Sequence, residues 1–235
     1  MFSRILCAAL AAAAPLAAAK EEALVYGAQL EEFELRRGKD GEKFLAWDGG
    51  VFAGNDNLKI RWISEGEYDM RENNFAHSEN RLVAQIPVSM FFDAKAGVRL
   101  DTYGGGRERW HAVLGATGLA PQWFEIDADL FVGESGRASA RLDAEYELLF
   151  TNRLFTVFSA ESTYAFASDQ KAEIGAGVAD LEAGARLSYD LIDRSVAPYI
   201  GAVYEKKYGK TADIAREHGE ADEEWFFVAG VKLML

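Results

Sequence analysis

Cysteine is nearly absent: the 235 residues contain one, Cys7, and it falls in a stretch read below as a leader. Without it the remaining protein has no disulfide, no thiolate metal site and no cysteine nucleophile. Histidine is scarce too, at His77, His111 and His218, and no two of them stand at a ligand-pair spacing. Beyond the first twenty residues no apolar run reaches the roughly 20 residues a membrane-spanning helix needs. Basic residues are outnumbered, 25 Lys and Arg against 38 Asp and Glu, for a formal charge of −13. That balance argues against nucleic acid as a partner, because phosphates demand a basic face. It suits a protein that gathers cations, and equally one that is acidic only for solubility.

What is present begins with the N-terminus. Arg4 supplies a positive charge, Ile5 to Leu16 form a short apolar run, and Ala17-Ala18-Ala19 offers the small residues that signal peptidase requires. Residues 1–19 therefore read as a cleaved secretory signal, and residues 20–235 as the mature domain. Losing Arg4 leaves 24 basic against 38 acidic residues, a formal charge of −14. The residues before Cys7 do not form a lipoprotein box.

The rest of the chain alternates. From Ala138 to Phe150 the apolar Ala138, Ala140, Leu142, Ala144, Tyr146, Leu148 and Phe150 are separated by Ser139, Arg141, Asp143, Glu145 and Glu147, with Leu149 the exception. Successive strand side chains point to opposite faces, so this is a long strand with one apolar and one charged face. The pattern recurs at 58–62, 92–101, 124–130 and 181–190. Segments of roughly 10 residues with this period mark a transmembrane barrel, lipid outside and a polar lumen inside. Closure satisfies every backbone N–H and C=O in lipid.

Turn signals at 54–57, 87–89, 120–122, 151–153 and 192–195 alternate with longer polar joins at 37–42, 68–79, 103–108, 133–137, 167–174 and 210–223. Short periplasmic turns facing longer extracellular loops give that rhythm. The expectation is an all-β, antiparallel up-and-down barrel of about twelve strands, ten being the alternative. Trp225, Phe227, Ala229, Val231, Leu233 and Leu235 form the apolar face of a last strand. With Gly230, that strand resembles the C-terminal signal read by the barrel assembly machinery, although its final residue is Leu235 rather than an aromatic.

The segment from Trp123-Phe124-Glu125-Ile126-Asp127 through Gly133-Glu134-Ser135-Gly136-Arg137 to Leu149-Phe150-Thr151-Asn152-Arg153-Leu154 resembles the copper resistance protein B family. Ala96-Gly97-Val98-Arg99, Gly118-Leu119-Ala120-Pro121, Ala197-Pro198-Tyr199-Ile200-Gly201 and the stretch at Tyr208-Gly209-Lys210 extend the likeness from about Val25 to the C-terminus. The resemblance implies an outer-membrane barrel that binds or passes copper ions, with lipid and periplasmic copper-handling proteins as partners. Copper would be carried, not used as a catalytic cofactor. Members of that family commonly carry a Met- and His-rich segment ahead of the barrel; here Lys20-Glu21-Glu22 leads straight to the first expected strand.

Copper(II) favours imidazole and carboxylate, copper(I) favours thiolate and thioether. With Met70, Met90 and Met234 scattered, the candidates are His111 and Asp101 near a lumen mouth, and His77 and His218 in extracellular loops beside Glu79 and Glu217. Inward-pointing Arg99, Glu125, Asp127, Asp129, Arg141, Asp143, Glu145, Glu147, Glu182 and Arg186 form an expected charge network. It serves as a stiffening set of ion pairs or as an acidic path, since rings of carboxylates select cations. Catalysis finds no support. Ser78 adjoins His77 in sequence, but strand neighbours point to opposite faces, so adjacency is no evidence for a triad, and no helix follows Gly104-Gly105-Gly106 to make a phosphate cradle. A narrow general porin, a structural barrel without a metal role and a soluble periplasmic β-domain are the alternatives.

Overall fold

The computed structural model describes residues 23–39, 41–169, 172–192 and 194–235; the expected signal at 1–19 lies outside the described residues. The period-two stretches form twelve strands: β1 (Val25–Arg37), β2 (Lys43–Gly54), β3 (Lys59–Asp69), β4 (Asn74–Pro87), β5 (Phe92–Tyr103), β6 (Arg107–Ala120), β7 (Phe124–Gly133), β8 (Ala138–Leu149), β9 (Leu154–Ala165), β10 (Gly177–Tyr189), β11 (Val196–Lys207) and β12 (Glu223–Met234). Each pairs antiparallel with its chain neighbours, and β1 closes on β12. The sheet therefore has no free edge, which is what a strand structure in lipid requires.

The five joins at one end are short, and four of them are capped by their own side chains. Asn55 Oδ1 accepts from the N–H groups of Asn57 (3.0 Å) and Leu58 (2.9 Å). Ser89 Oγ does the same for Phe91 and Phe92, and Thr151 Oγ1 for Arg153 and Leu154. These are the Asx and Ser/Thr turns that polar residues favour. A 3-10 turn, Pro121–Trp123, makes another of these joins. The opposite end carries the longest ones, 166–176 and 208–222.

Two joins differ from expectation. Residues 68–79 hold only a turn at 70–73, because Asn73 takes a left-handed backbone (φ 54°) and lets β4 start at Asn74. His77, Ser78 and Glu79 are consequently strand residues, not loop residues. The final long join contains a helix, α1 (Gly209–Glu217), whose Thr211, Ala212 and Ala215 are buried. It docks on the rim through Tyr208 N–H to the Ala179 carbonyl, 2.9 Å.

The side-chain distribution is inverted relative to a soluble β-protein. Leu35, Trp62, Leu82, Leu114, Leu142, Ile200 and Phe227 are exposed on the outer wall, while Glu34, Arg36, Glu79, Arg81, Lys95, Arg99, Asp101, Asp129 and Arg186 are buried inside. Apolar packing in the lumen is confined to small groups, such as Val83, Val113 and Phe131. The interior is held by charge. Glu79, 0% exposed, pairs with Arg81 (3.0 Å), Arg99 (2.8 Å) and Arg141 (2.9 Å). Arg99 and Arg141 also lie over the face of Phe131, at 4.4 and 5.5 Å from its centroid.

Two substitutions probe the two faces. Leu142→Arg, on the outer wall, should cost about 2–4 kcal/mol in urea unfolding from phosphatidylcholine vesicles; a neutral result would mean that this face meets water. Glu79→Ala leaves three guanidinium groups around a missing carboxylate and should cost about 3–5 kcal/mol in the same assay.

Candidate functional site

Strand alternation sends every second side chain inward, and the inward set is dominated by acids. A cavity of about 1000 Å3 opens at the long-loop end, lined by 21 Asp and Glu against 8 Lys and Arg. The acidity of the whole chain is thus concentrated in the lumen. A second, separate cavity of about 20 Å3 lies toward the short-turn end, between Glu31, Glu32, Glu145, Arg186, Tyr199 and Lys232.

Two arginine centres organise these acids. Besides Glu79, Arg81 pairs with Glu65 (2.8 Å) and Asp129 (3.0 Å), and Arg141 pairs with Glu65 (2.9 Å) and Glu161 (3.2 Å). Lys95 holds Asp129 (2.9 Å) and Asp127. On the other wall Arg36 gathers Glu32 (3.3 Å), Glu34 (2.9 Å), Glu67 (3.2 Å), Glu182 (3.1 Å) and Glu205 (2.9 Å). Arg186 joins this group through Glu32 (2.8 Å) and Glu34 (3.0 Å). A register shift in β1 between Leu30 and Glu32 turns consecutive acids inward: Glu31 bonds Lys232 while Glu32 bonds Arg186. Bulges re-aim side chains in this way.

Register reveals a feature no single strand contains. Asp93 faces Thr117, Thr117 faces Asp127, Asp127 faces Asp143, and Asp143 faces Glu161. Glu161 then faces Glu182, Glu182 faces Glu205, and Glu205 faces Glu224. This cross-strand row crosses eight strands. Because barrel strands tilt, such a row climbs as it goes round: Asp93 is the second residue of β5 at the short-turn end, and Glu224 the second of β12 at the long-loop end. Like charges directly opposite one another repel, and Lys95, Arg141 and Arg36 offset this at Asp127, Glu161, Glu182 and Glu205. Asp143 has no cation within ion-pair distance among the described residues.

Three of the four candidate metal ligands meet at the mouth. His111 Nδ1 is 3.6 Å from Asp101 Oδ2 and makes no hydrogen bond. Tyr103 Oη lies 3.4 Å from the same oxygen, and the His77 ring packs on Tyr103 with centroids 4.9 Å apart. Asp101 is itself gripped by Arg99 at 2.6 and 3.0 Å. His218 is elsewhere, capping α1, with Nδ1 3.4 Å from Glu173 of the 166–176 loop. No group of three or more His, Cys, Asp or Glu among the described residues is arranged to hold a metal.

Of the expected network, Arg99, Asp127, Asp129, Arg141, Glu182 and Arg186 lie in ion pairs. Asp143 and Glu145 line the cavity. Glu125 is exposed at the short-turn end, opposite Glu145 in register, and Glu147 is bonded to Arg194 outside the cavity. Glu34, Arg36, Glu65, Arg81, Glu161 and Glu205 were not anticipated. The signal was available in β1, where Glu32, Glu34 and Arg36 alternate with Phe33, Leu35 and Arg37.

Comparison with known proteins follows the same direction. The family model described as copper resistance protein B precursor (CopB) matches residues 24–235. The Escherichia coli copper resistance protein B is 36% identical over 213 residues, covering 91% of this chain and 70% of that protein. A copper resistance protein B homolog from Pseudomonas syringae pv. tomato is 33% identical over 203 residues, covering 86% of this chain and 67% of its own. Among solved structures the NanC porin superposes with a TM-score of 0.52 at 12% identity, over 91% of this chain and all of that one, a likeness of fold alone. An ionic, acidic lumen inside a closed twelve-stranded wall, together with family-wide sequence similarity along 24–235, places this chain in the copper resistance protein B family.

Proposed function

We propose that this protein is an outer-membrane barrel of copper resistance that receives copper(II) at its loop-side mouth and holds or passes it along the acidic lumen. The observation that carries this reading is the row from Asp93 to Glu224, seven carboxylates interrupted only at Thr117, which runs from one rim to the other. Carboxylate rings favour cations, and family membership supplies copper as the cation. Oxidation state follows from ligand type. No thiol lies among the described residues, and Met70, Met90 and Met234 are exposed rather than gathered, so copper(II) on imidazole and carboxylate is the fitting form.

His111, with its free Nδ1 beside Asp101, and neighbouring His77 are the entry ligands in this reading. His218 with Glu173 would meet ions earlier, on the loops. Among the described residues no three-ligand cluster is arranged to hold a metal, and in this reading copper is a transient cargo. The N-terminal signal, lipid on the outer wall, assembly by the barrel machinery and exchange with periplasmic copper-handling proteins belong to the same proposal. A plain porin or structural barrel is the competing reading, supported by the ion-paired floor, where Lys232 and Arg186 hold Glu31, Glu32 and Glu34.

Calorimetry of the refolded barrel with copper(II), zinc as competitor, separates the two. Copper-preferring binding that weakens about tenfold, or 1.4 kcal/mol, in His111→Ala or Asp101→Asn supports the metal role. Equal, weak responses to both metals favour the plain porin. Planar-bilayer recording tests the path: Asp143→Asn with Glu161→Gln should shift the reversal potential toward lower cation preference, while Lys232→Ala should raise conductance. Unchanged ion preference would remove the carboxylate row from the mechanism.

A further inference from the structure

Nearly every basic side chain in the lumen is matched to an acid, and so are Lys206, Lys207 and Arg216 on the loop side. Arg107 and Lys210 on that side have no ion pair among the described residues, and at one corner of the outer rim three more such bases stand together. Arg37 is the last residue of β1 and Lys43 the first of β2, and the two face each other directly in register. Both are exposed, and both alternate with inward residues, Arg36 and Phe44, so they project from the outer wall. Like charges directly opposite on a sheet destabilise it. No carboxylate lies within ion-pair distance of Arg37, Lys43 or Arg71 among the described residues.

Arg71 adds a third charge to this corner. The N–H of Met70 donates to the Lys43 carbonyl (3.0 Å), which sets the β3–β4 turn beside Lys43, and Arg71 follows exposed. The nearby Asp69 carboxylate is occupied by the N–H groups of Arg71 (2.7 Å) and Glu72 (3.0 Å). Glu223, on β12, already binds Lys206 and Tyr204. Below the pair the wall turns apolar. Phe227, 72% exposed, is the register partner of Arg37 on β12, and Leu35 is exposed one pleat down.

We infer that Arg37 and Lys43, with Arg71, form a binding site for the phosphate groups of an outer-leaflet glycolipid, whose acyl chains lie on Phe227 and Leu35. Guanidinium matches phosphate with a bidentate fork, and lysine adds a point charge. A free phosphate would use the charges but not the apolar shelf, which is why the lipid is the occupant. The inference rests on the outer-membrane reading above, and on the long-loop end facing outward.

The test uses the full refolded barrel in phosphatidylcholine vesicles, with and without diphosphoryl lipid A, and with lipid A stripped of its phosphates. Diphosphoryl lipid A should raise the midpoint of thermal unfolding, and the stripped lipid should not. Each basic residue at an anionic surface is worth about fivefold in affinity, so the Arg37→Gln, Lys43→Gln pair should bind about twenty-five-fold more weakly. Equal stabilisation of the native protein and the double variant overturns the site. The same stabilisation by inorganic phosphate overturns the lipid as its occupant. Copper(II) titration of the double variant should be unchanged, so a negative lipid result with normal copper binding defeats only this inference and leaves the copper reading standing.

Discussion

Three guanidinium groups, from strands β4, β5 and β8, converge on the single carboxylate of Glu79 at 2.8–3.0 Å. Charges taken out of water are tolerable only when paired and hydrogen-bonded, and each member here supplies that condition for the others. Because β4 and β8 are not neighbours in the sheet, the pairing also ties separated walls together across the lumen. Arg36 repeats the device on the other side, linking acids of β1, β3, β10 and β11. Hydrogen bonding of the backbone closes the barrel; these ionic centres fill and stiffen it.

That arrangement explains why the lumen holds an excess of acids. A neutral network would need one cation per carboxylate, yet the cavity carries 21 acids and 8 bases. Each arginine serves several acids at once, so the charge left over is negative and faces the open volume. A cation entering the mouth finds carboxylates that are already ordered but not fully neutralised. Asp143, between Asp127 and Glu161, is where this deficit is plainest. Stiffening follows from these shared pairings, and in the proposed function cation attraction follows from the same charge imbalance.

Period two made most of the strands legible, because an outer wall in lipid and a wet lumen impose opposite chemistry on alternate residues. The turns at Asn55, Ser89 and Thr151 were legible for a local reason, their side chains bonding their own backbone. What escaped depends on geometry outside the local window. His77 lies in a polar stretch that resembles a loop, and only the tight turn at Asn73 draws it into β4. Helix α1 buries just Thr211, Ala212 and Ala215, too narrow an apolar face to stand out. Glu31 and Glu32 both point inward through a bulge that breaks the period. The carboxylate row needs the register of eight strands, and no strand states its own register.

The lumen is also asymmetric, and the asymmetry constrains any path for an ion. At the mouth Asp101 and His111 are close but not bonded, and the His111 Nδ1 is uncommitted. At the floor Lys232 is bound to Glu31, with Arg186 and Tyr199 packed nearby. A divalent cation can therefore be met by the uncommitted His111 Nδ1 at the loop side, whereas at the short-turn side it faces a lysine and an arginine. Passing that point requires the cation to take Glu31 from Lys232 and Glu32 from Arg186, exchanging one positive partner for another. The same carboxylates that balance the fixed charges would then receive the mobile one, so the floor acts as a barrier whose height depends on how well an incoming ion competes with lysine and arginine for those acids.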